Sequence, residues 1–206
     1  NALRASLYEY GHVVPQGIRQ IKRIAEILEA PNNDLPDLMR EECRDMVEQI
    51  AEQTTRINAR TRKIQALANE ADIARRLQTI PGVGPMTALA VEAFAPAMEN
   101  FSCSRDFAAW LGLVPRQFSS GAKERLGRTS KAGQADIRRL LIIGAMSRLN
   151  WLGRKSIPED SWLARISSRK PRMLVAIALA NKMARIIWAL IIRNEDYRVP
   201  AQVVAT

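Results

Sequence analysis

Apolar side chains recur three and four apart along most of the chain, the spacing that lines one face of an α-helix. After Pro15 the positions Ile18, Ile21, Ile24, Ala25 and Leu28 follow this rule and stop at the turn signals Pro31-Asn32-Asn33, which predicts a short amphipathic helix. Asp34 can cap the next helix. Pro36 is tolerated in a first turn, and from there to about Leu67 neither Gly nor Pro occurs, so the second helix is predicted to be long. Within it Cys43, Ile50, Ile57, Ile64 and Ala71 recur every seven residues, with Val47, Thr54, Thr61 and Ala68 four residues after each of the first four. Seven is the coiled-coil period. The second row is small and polar, so the seam is weaker than a leucine zipper. It suits packing against another helix of the same chain about as well as pairing of two subunits; we expect a spacer helix that also pairs two copies.

The segment from Leu77 to Phe94 joins the end of one apolar helix to the start of another through Pro81-Gly82-Val83-Gly84. Such a turn has the features of a helix-hairpin-helix motif. Gly82 and Gly84 permit positive φ and a close backbone approach, Pro85 suits a first helical turn, and the free N–H groups of the following helix suit a phosphate oxygen. A tight interhelical turn without a ligand has the same pattern. Further on, Asp106 to Leu113 reads as a short helix buried through Phe107 and Trp110. Helical periodicity then disappears from Pro115 to Ala135, a polar, Gly-punctuated loop. It resumes around Gln134 with Ile137, Leu140, Leu141 and Gly144, and final helices are expected from about Pro158 to Ile166 and Pro171 to Arg193. No run alternates with the period of two that marks strands. The expected fold is all-α: a helical linker and coiled-coil-like spacer over residues 1–76, then a compact helical domain over 77–206 containing the helix-hairpin-helix motif.

Charge sharpens this picture. The 206 residues carry a net +10, but residues 1–100 hold 12 basic and 14 acidic side chains while residues 101–206 hold 19 and 7. The positive charge therefore belongs to the second half, and such an excess attracts polyanions, nucleic acid first. A solvated basic face is the plainer alternative. The run Met173 to Ile192 has the length of a membrane span, but Asn181, Lys182 and Arg185 fall in its middle, so a buried core helix is expected and no membrane partner. Cys43 and Cys103 lack metal-ligand spacing and read as buried free thiols of a reducing cytoplasm; the single His12 excludes a multi-His metal site. No signal peptide is visible, and the opening Asn1-Ala2-Leu3-Arg4, without Met, reads as an excerpt of something longer.

Residues 116–139 contain seven cations, Arg116, Lys123, Arg125, Arg128, Lys131, Arg138 and Arg139, against Glu124 and Asp136, interleaved with Ser119, Ser120, Thr129 and Ser130. Arginine forks can neutralise non-bridging oxygens as phosphorus becomes five-coordinate, Gly121 lets the backbone come close, and a serine can serve as nucleophile. A Ser-His-Asp triad does not fit, because His12 lies over 100 positions away. By its residues alone this loop is a phosphate-binding surface or an active site.

The run Leu77-Gln-Thr-Ile-Pro-Gly-Val-Gly-Pro-Met-Thr-Ala, the run from Phe107 through Trp110 to Gly133, and then Arg138-Arg-Leu-Leu resemble the C-terminal domain of transposases of the insertion sequence 110 family, most closely its 1111 subgroup. The stretch from Asn1 to Gly17 is similar to that subgroup's linker, and the resemblance weakens after about Trp151. It implies an enzyme that cleaves and exchanges DNA strands. The resemblance implies as nucleophile the family's serine in a Ser-Gly pair following Pro-Arg, here Ser120 before Gly121, with Ser119 its neighbour and competitor. The resemblance further implies a structured guide RNA as partner and an N-terminal RuvC-like domain whose Asp-Glu-Asp-Asp site takes Mg2+. That domain lies outside these residues, so no cofactor and no metal ligand is expected here, and the fragment alone should be inactive. The expected DNA- and phosphate-binding residues are Gly82, Gly84, Arg116, Ser119, Gly121, Lys123, Arg125, Arg128 and Lys131, working in a bacterial cytoplasm at the nucleoid. The alternatives are a non-catalytic helix-hairpin-helix DNA-binding module and a helical scaffold.

Overall fold

A computed structural model describes residues 1–31, 34–118, 125–153 and 161–198. The chain divides into two compact units, Asn1–Lys63 and Ile64–Thr206.

In the first unit α1 (Ala2–Glu9), α2 (Ile21–Glu29) and the start of α3 (Asp37–Glu70) enclose a small core. Leu3 and Leu7 recur four apart on α1, and Ile24 and Leu28 do so on α2. All four are buried together with Val14, Leu35 and Cys43. Arg4 Nε donates to the Val14 carbonyl at 2.8 Å, tying the segment after α1 back onto the helix. Helix α3 is 34 residues long, as the absence of helix breakers requires. Its seven-residue seam divides by environment. Cys43 is fully buried and Val47 and Ile50 pack on the same core, whereas Ile57 is 61% exposed. The polar row is satisfied inside its own helix, with the Thr54 and Thr61 hydroxyls donating to the Ile50 and Ile57 carbonyls at 2.7 and 2.8 Å. Burial, and the neighbouring Glu42, push the Cys43 thiol above its usual pKa, which disfavours thiolate chemistry there.

The second unit holds α4 (Asp72–Leu77), α5 (Pro85–Phe94), α6 (Ser104–Trp110), strands β1 (Pro115–Gln117) and β2 (Leu126–Thr129), then α7 (Ala135–Leu152), α8 (Trp162–Ser167) and α9 (Arg172–Arg193). Helix α9 is the hub, packing on α4, α6, α7 and α8. It is long and apolar enough to cross a membrane by length and composition. Here it buries Val175, Ala176, Ala180, Met183, Ala184, Ile187 and Leu190 against Leu77, Phe107, Leu111, Ile137 and Leu141. The rings of Phe101, Phe107 and Trp110 pack edge-on and stacked with centroids 5.3 to 5.9 Å apart, fixing α6.

The fold is mostly α-helical, with three departures from the residue pattern. The segment 115–135 is no plain loop, because β1 and β2 pair antiparallel with Pro115 opposite Thr129 and Gln117 opposite Leu126. The strands are three and four residues long, and every β1 side chain is exposed, so backbone pairing forms them without any alternation of apolar positions. A helix at Ala2–Glu9 stands in the expected linker. Cys103 is not buried but half-buried, as the N-cap of α6, where its N–H donates to Asp106 Oδ2 at 3.1 Å.

Candidate nucleic-acid interface

The turn between α4 and α5 closes with the Val83 N–H donating to the Ile80 carbonyl at 2.9 Å. Its two glycines have different reasons to be glycine. Gly82 has φ +97°, and a Cβ there would meet the Gly144 carbonyl of α7 at 2.9 Å; a Cβ on Gly144 would meet the Gly82 carbonyl at 2.0 Å. Two backbones cross here, and the crossing itself accounts for both residues. Gly84 does not take the positive φ its sequence context suggests. It is extended, with φ −97° and ψ 176°, as the N-cap of α5, and a Cβ there would meet open space. The N–H groups of Met86 and Thr87 lie in the first turn of α5, after Pro85 at its start, so they have no partner within the helix.

Strands β1 and β2 set Arg116 and Arg128 on neighbouring strands, both exposed. Phe118 N–H donates to the Arg125 carbonyl at 2.8 Å, so the chain leaves and re-enters the pair at adjacent points. Ser119, Ser120, Gly121 and Lys123 fall between those points and lie outside the described residues. The Phe118 ring lies across Gly127, where a Cβ would come within 2.5 Å of Cε2. At the base, Ser130 N–H donates to the Val114 carbonyl at 2.8 Å, and Arg116 Nη2 reaches the Ser130 carbonyl at 3.4 Å. The Ser130 hydroxyl is buried and has no partner among the described residues, so it does not offer a phosphodiester the open approach a nucleophile needs.

The base is locked by two glycines and one arginine. Gly112 and Gly133 have φ +68° and +72°; a Cβ on the first would lie 2.2 Å from the Ala132 carbonyl and on the second 1.7 Å from the Trp110 carbonyl. Arg138 Nη1 donates to the carbonyls of Leu111 and Ala132, both at 2.9 Å. This cation therefore joins α7 to the hairpin base through Nη1, a structural role that its place in the basic run does not suggest. Lys131, with φ +54°, is exposed in the returning chain.

Two cations not singled out as binding residues, Lys182 and Arg185 of α9, are exposed near β2 and line a groove with Arg128. The signal was present as polar interruptions of an apolar run, but only the packing of α9 shows which way they face. Among the described residues no three His, Cys, Asp or Glu side chains gather to hold a metal. The Mg2+ implied by resemblance has no ligands to assign among them.

Residues 74–158 match the model of the transposase family IS116/IS110/IS902. Over 200 residues, 96% of its length, the chain is 38% identical to the Probable family 20 transposase of Pseudomonas aeruginosa, of which it covers 59%. It is 36% identical over 199 residues to the transposase for insertion sequence element IS1111A of Coxiella burnetii, covering 96% of the chain and 55% of that protein. It is 35% identical over 190 residues to the transposase for element IS1328 of Yersinia enterocolitica, covering 92% and 56%. These alignments extend past Trp151, whereas the family model ends at residue 158, and the chain spans just over half the length of these curated relatives.

Proposed function

Because the chain belongs to the IS116/IS110/IS902 transposase family, we propose that it is the DNA-handling, serine-bearing part of a longer transposase. In this reading the second unit binds DNA phosphates through the α4–α5 turn and the basic hairpin, and Ser120 attacks the phosphodiester to form a phosphoserine link. The observation that carries the reading is the hairpin. Two short strands, held by Gly112, Gly133 and Arg138, carry Arg116 and Arg128, and in the sequence between these two arginines lie Ser119-Ser120-Gly121, outside the described residues. Arginines on both sides suit the charge that grows on the non-bridging oxygens. Gly84, which the fold does not require to be glycine, suits a phosphate approaching the N-terminus of α5. A structured RNA as guide and Mg2+ in the part of the longer protein beyond this chain complete the proposal.

Duplex binding across a salt series tests the DNA part. Phosphate contacts release counterions, so the logarithm of affinity should fall linearly with the logarithm of salt, by about 0.9 per contact. A chain with no such slope is a scaffold. Gly84→Val should cost about 1 kcal/mol of stability through a poorer N-cap and weaken binding equally on unrelated sequences, since backbone donors read no bases. A folded Gly84→Val variant that binds like the parent removes the α4–α5 turn from the interface.

We also propose that two copies pair through the middle of α3, where Ile57 is exposed while the first part of the seam is used inside the chain. Ile57→Lys places a charge in that contact without touching the core. Sedimentation equilibrium should show the parent as a dimer and the variant at half its mass; equal masses for two folded proteins contradict the pairing.

A further inference from the structure

The polar interruption of α9 coincides with an open groove of about 790 Å3 between β2 and α9. Its α9 wall is a helical stripe, with Ile177, Asn181, Arg185 and Ala189 recurring four apart and Lys182 beside Asn181, and this stripe faces away from the buried set of Val175, Ala180, Met183 and Ile187. The opposite wall is β2 with Arg128, and Trp162 of α8 also lines the space, its ring centroid 4.8 Å from the Lys182 ammonium. Asn181 donates through Nδ2 to the Leu113 carbonyl at 3.2 Å, anchoring α9 to the chain that leads into β1.

Three cations therefore line one groove. Among the described residues no carboxylate lines it, and Arg128, Lys182 and Arg185 form no ion pair. Like charges gathered over low-dielectric walls raise a positive potential that packing alone does not call for. The remaining lining is apolar and aromatic, the mixture that suits a polymer with anionic links and flat apolar rings. An acidic peptide would answer the charge and leave the aromatic and apolar wall unused.

We propose that the groove between β2 and α9 is a phosphodiester track that seats one strand of a nucleic acid, with Arg128, Lys182 and Arg185 on phosphate oxygens and Trp162 against a sugar or base. The proposal rests on the nucleic-acid reading of the second unit and names residues that reading did not include. It continues the basic surface from the hairpin onto a rigid helix, which gives a strand entering the hairpin a defined direction.

The test is fluorescence anisotropy on the whole chain, comparing the parent with Lys182→Gln/Arg185→Gln and with Arg128→Gln. The probes are a single-stranded DNA, its duplex and an RNA of the same sequence, across a salt series, with a polyglutamate peptide as fourth ligand. The double variant should bind at least one nucleic acid about tenfold more weakly at low salt, with the salt slope reduced by about 1.4 on a single strand or about 1.8 on a duplex. Arg128→Gln, a change on an exposed strand residue, should reduce the slope by about half as much and keeps the test open if the double variant melts early. The probe that loses most identifies the strand seated. Unchanged slopes on all three nucleic acids in folded variants overturn the track and leave the DNA reading standing. A parent without salt-dependent binding overturns both. Loss of polyglutamate binding alone overturns the track in favour of an acidic protein partner.

Discussion

Gly133→Ala is expected to be among the most destabilising single substitutions in the second unit, lowering its melting temperature by about 10 °C at an expense of about 4 kcal/mol. Two effects combine. Gly133 has φ +72°, a conformation that costs an L-residue about 1–2 kcal/mol. Its new Cβ would also lie 1.7 Å from the Trp110 carbonyl, a backbone atom that no rotamer change can move aside. Overpacking of that kind adds about 1–3 kcal/mol. The same shift should separate the base of the hairpin from the end of α6 and disturb the two hydrogen bonds from Arg138. Circular dichroism melts of parent and variant check this. Gly84→Val, with open space around its Cβ, is the control and should melt within a few degrees of the parent. A Gly133→Ala variant that melts with the parent means the hairpin base relaxes freely, and the hairpin is then not held as described.

Much of the helical architecture was legible in the residues because helix signals are local. The lack of Gly and Pro after Pro36 gave α3, and Pro85 falls in the first turn of α5 as its residue type suggests. What was not legible depended on contacts between distant segments. No local pattern shows that Gly82 crosses Gly144, or that Arg138 ties two carbonyls together at the hairpin base. Strands β1 and β2 escaped because they are short, every β1 side chain is exposed, and backbone pairing defines them. The seam of α3 was visible as a repeat of seven, but only the folded chain shows that Cys43 is spent on the first core while Ile57 is left outside. At the candidate site the cations could be listed from the loop, yet Lys182 and Arg185, 54 and 57 positions along the chain, join Arg128 only through the packing of α9. Serine chemistry came from family resemblance, since a hydroxyl among arginines is equally a phosphate contact.

Ser120→Ala should reduce strand transfer by on the order of 10^4- to 10^6-fold, the scale seen when a serine nucleophile is removed. The reason is stoichiometric: the attacking oxygen forms the new P–O bond as the 3′ or 5′ oxygen of the cleaved strand leaves, and an alanine methyl group has no lone pair to do so. Arg116 and Arg128 can stabilise the charge of that step, but a guanidinium cannot replace the nucleophile. Ser119 is the one neighbouring hydroxyl in the Ser-Gly stretch able to compete, and the Ser130 hydroxyl is buried. The most direct measurement is denaturing electrophoresis for a covalent protein–DNA adduct. It uses this chain joined to the N-terminal RuvC-like part and supplied with the guide RNA that the proposal invokes, and compares the parent with Ser119→Ala and Ser120→Ala. The account predicts adduct in the parent and in Ser119→Ala and none in Ser120→Ala; adduct persisting in Ser120→Ala contradicts it, moving the nucleophile to Ser119 if Ser119→Ala alone loses the adduct and ending serine catalysis by this hairpin if both variants keep it.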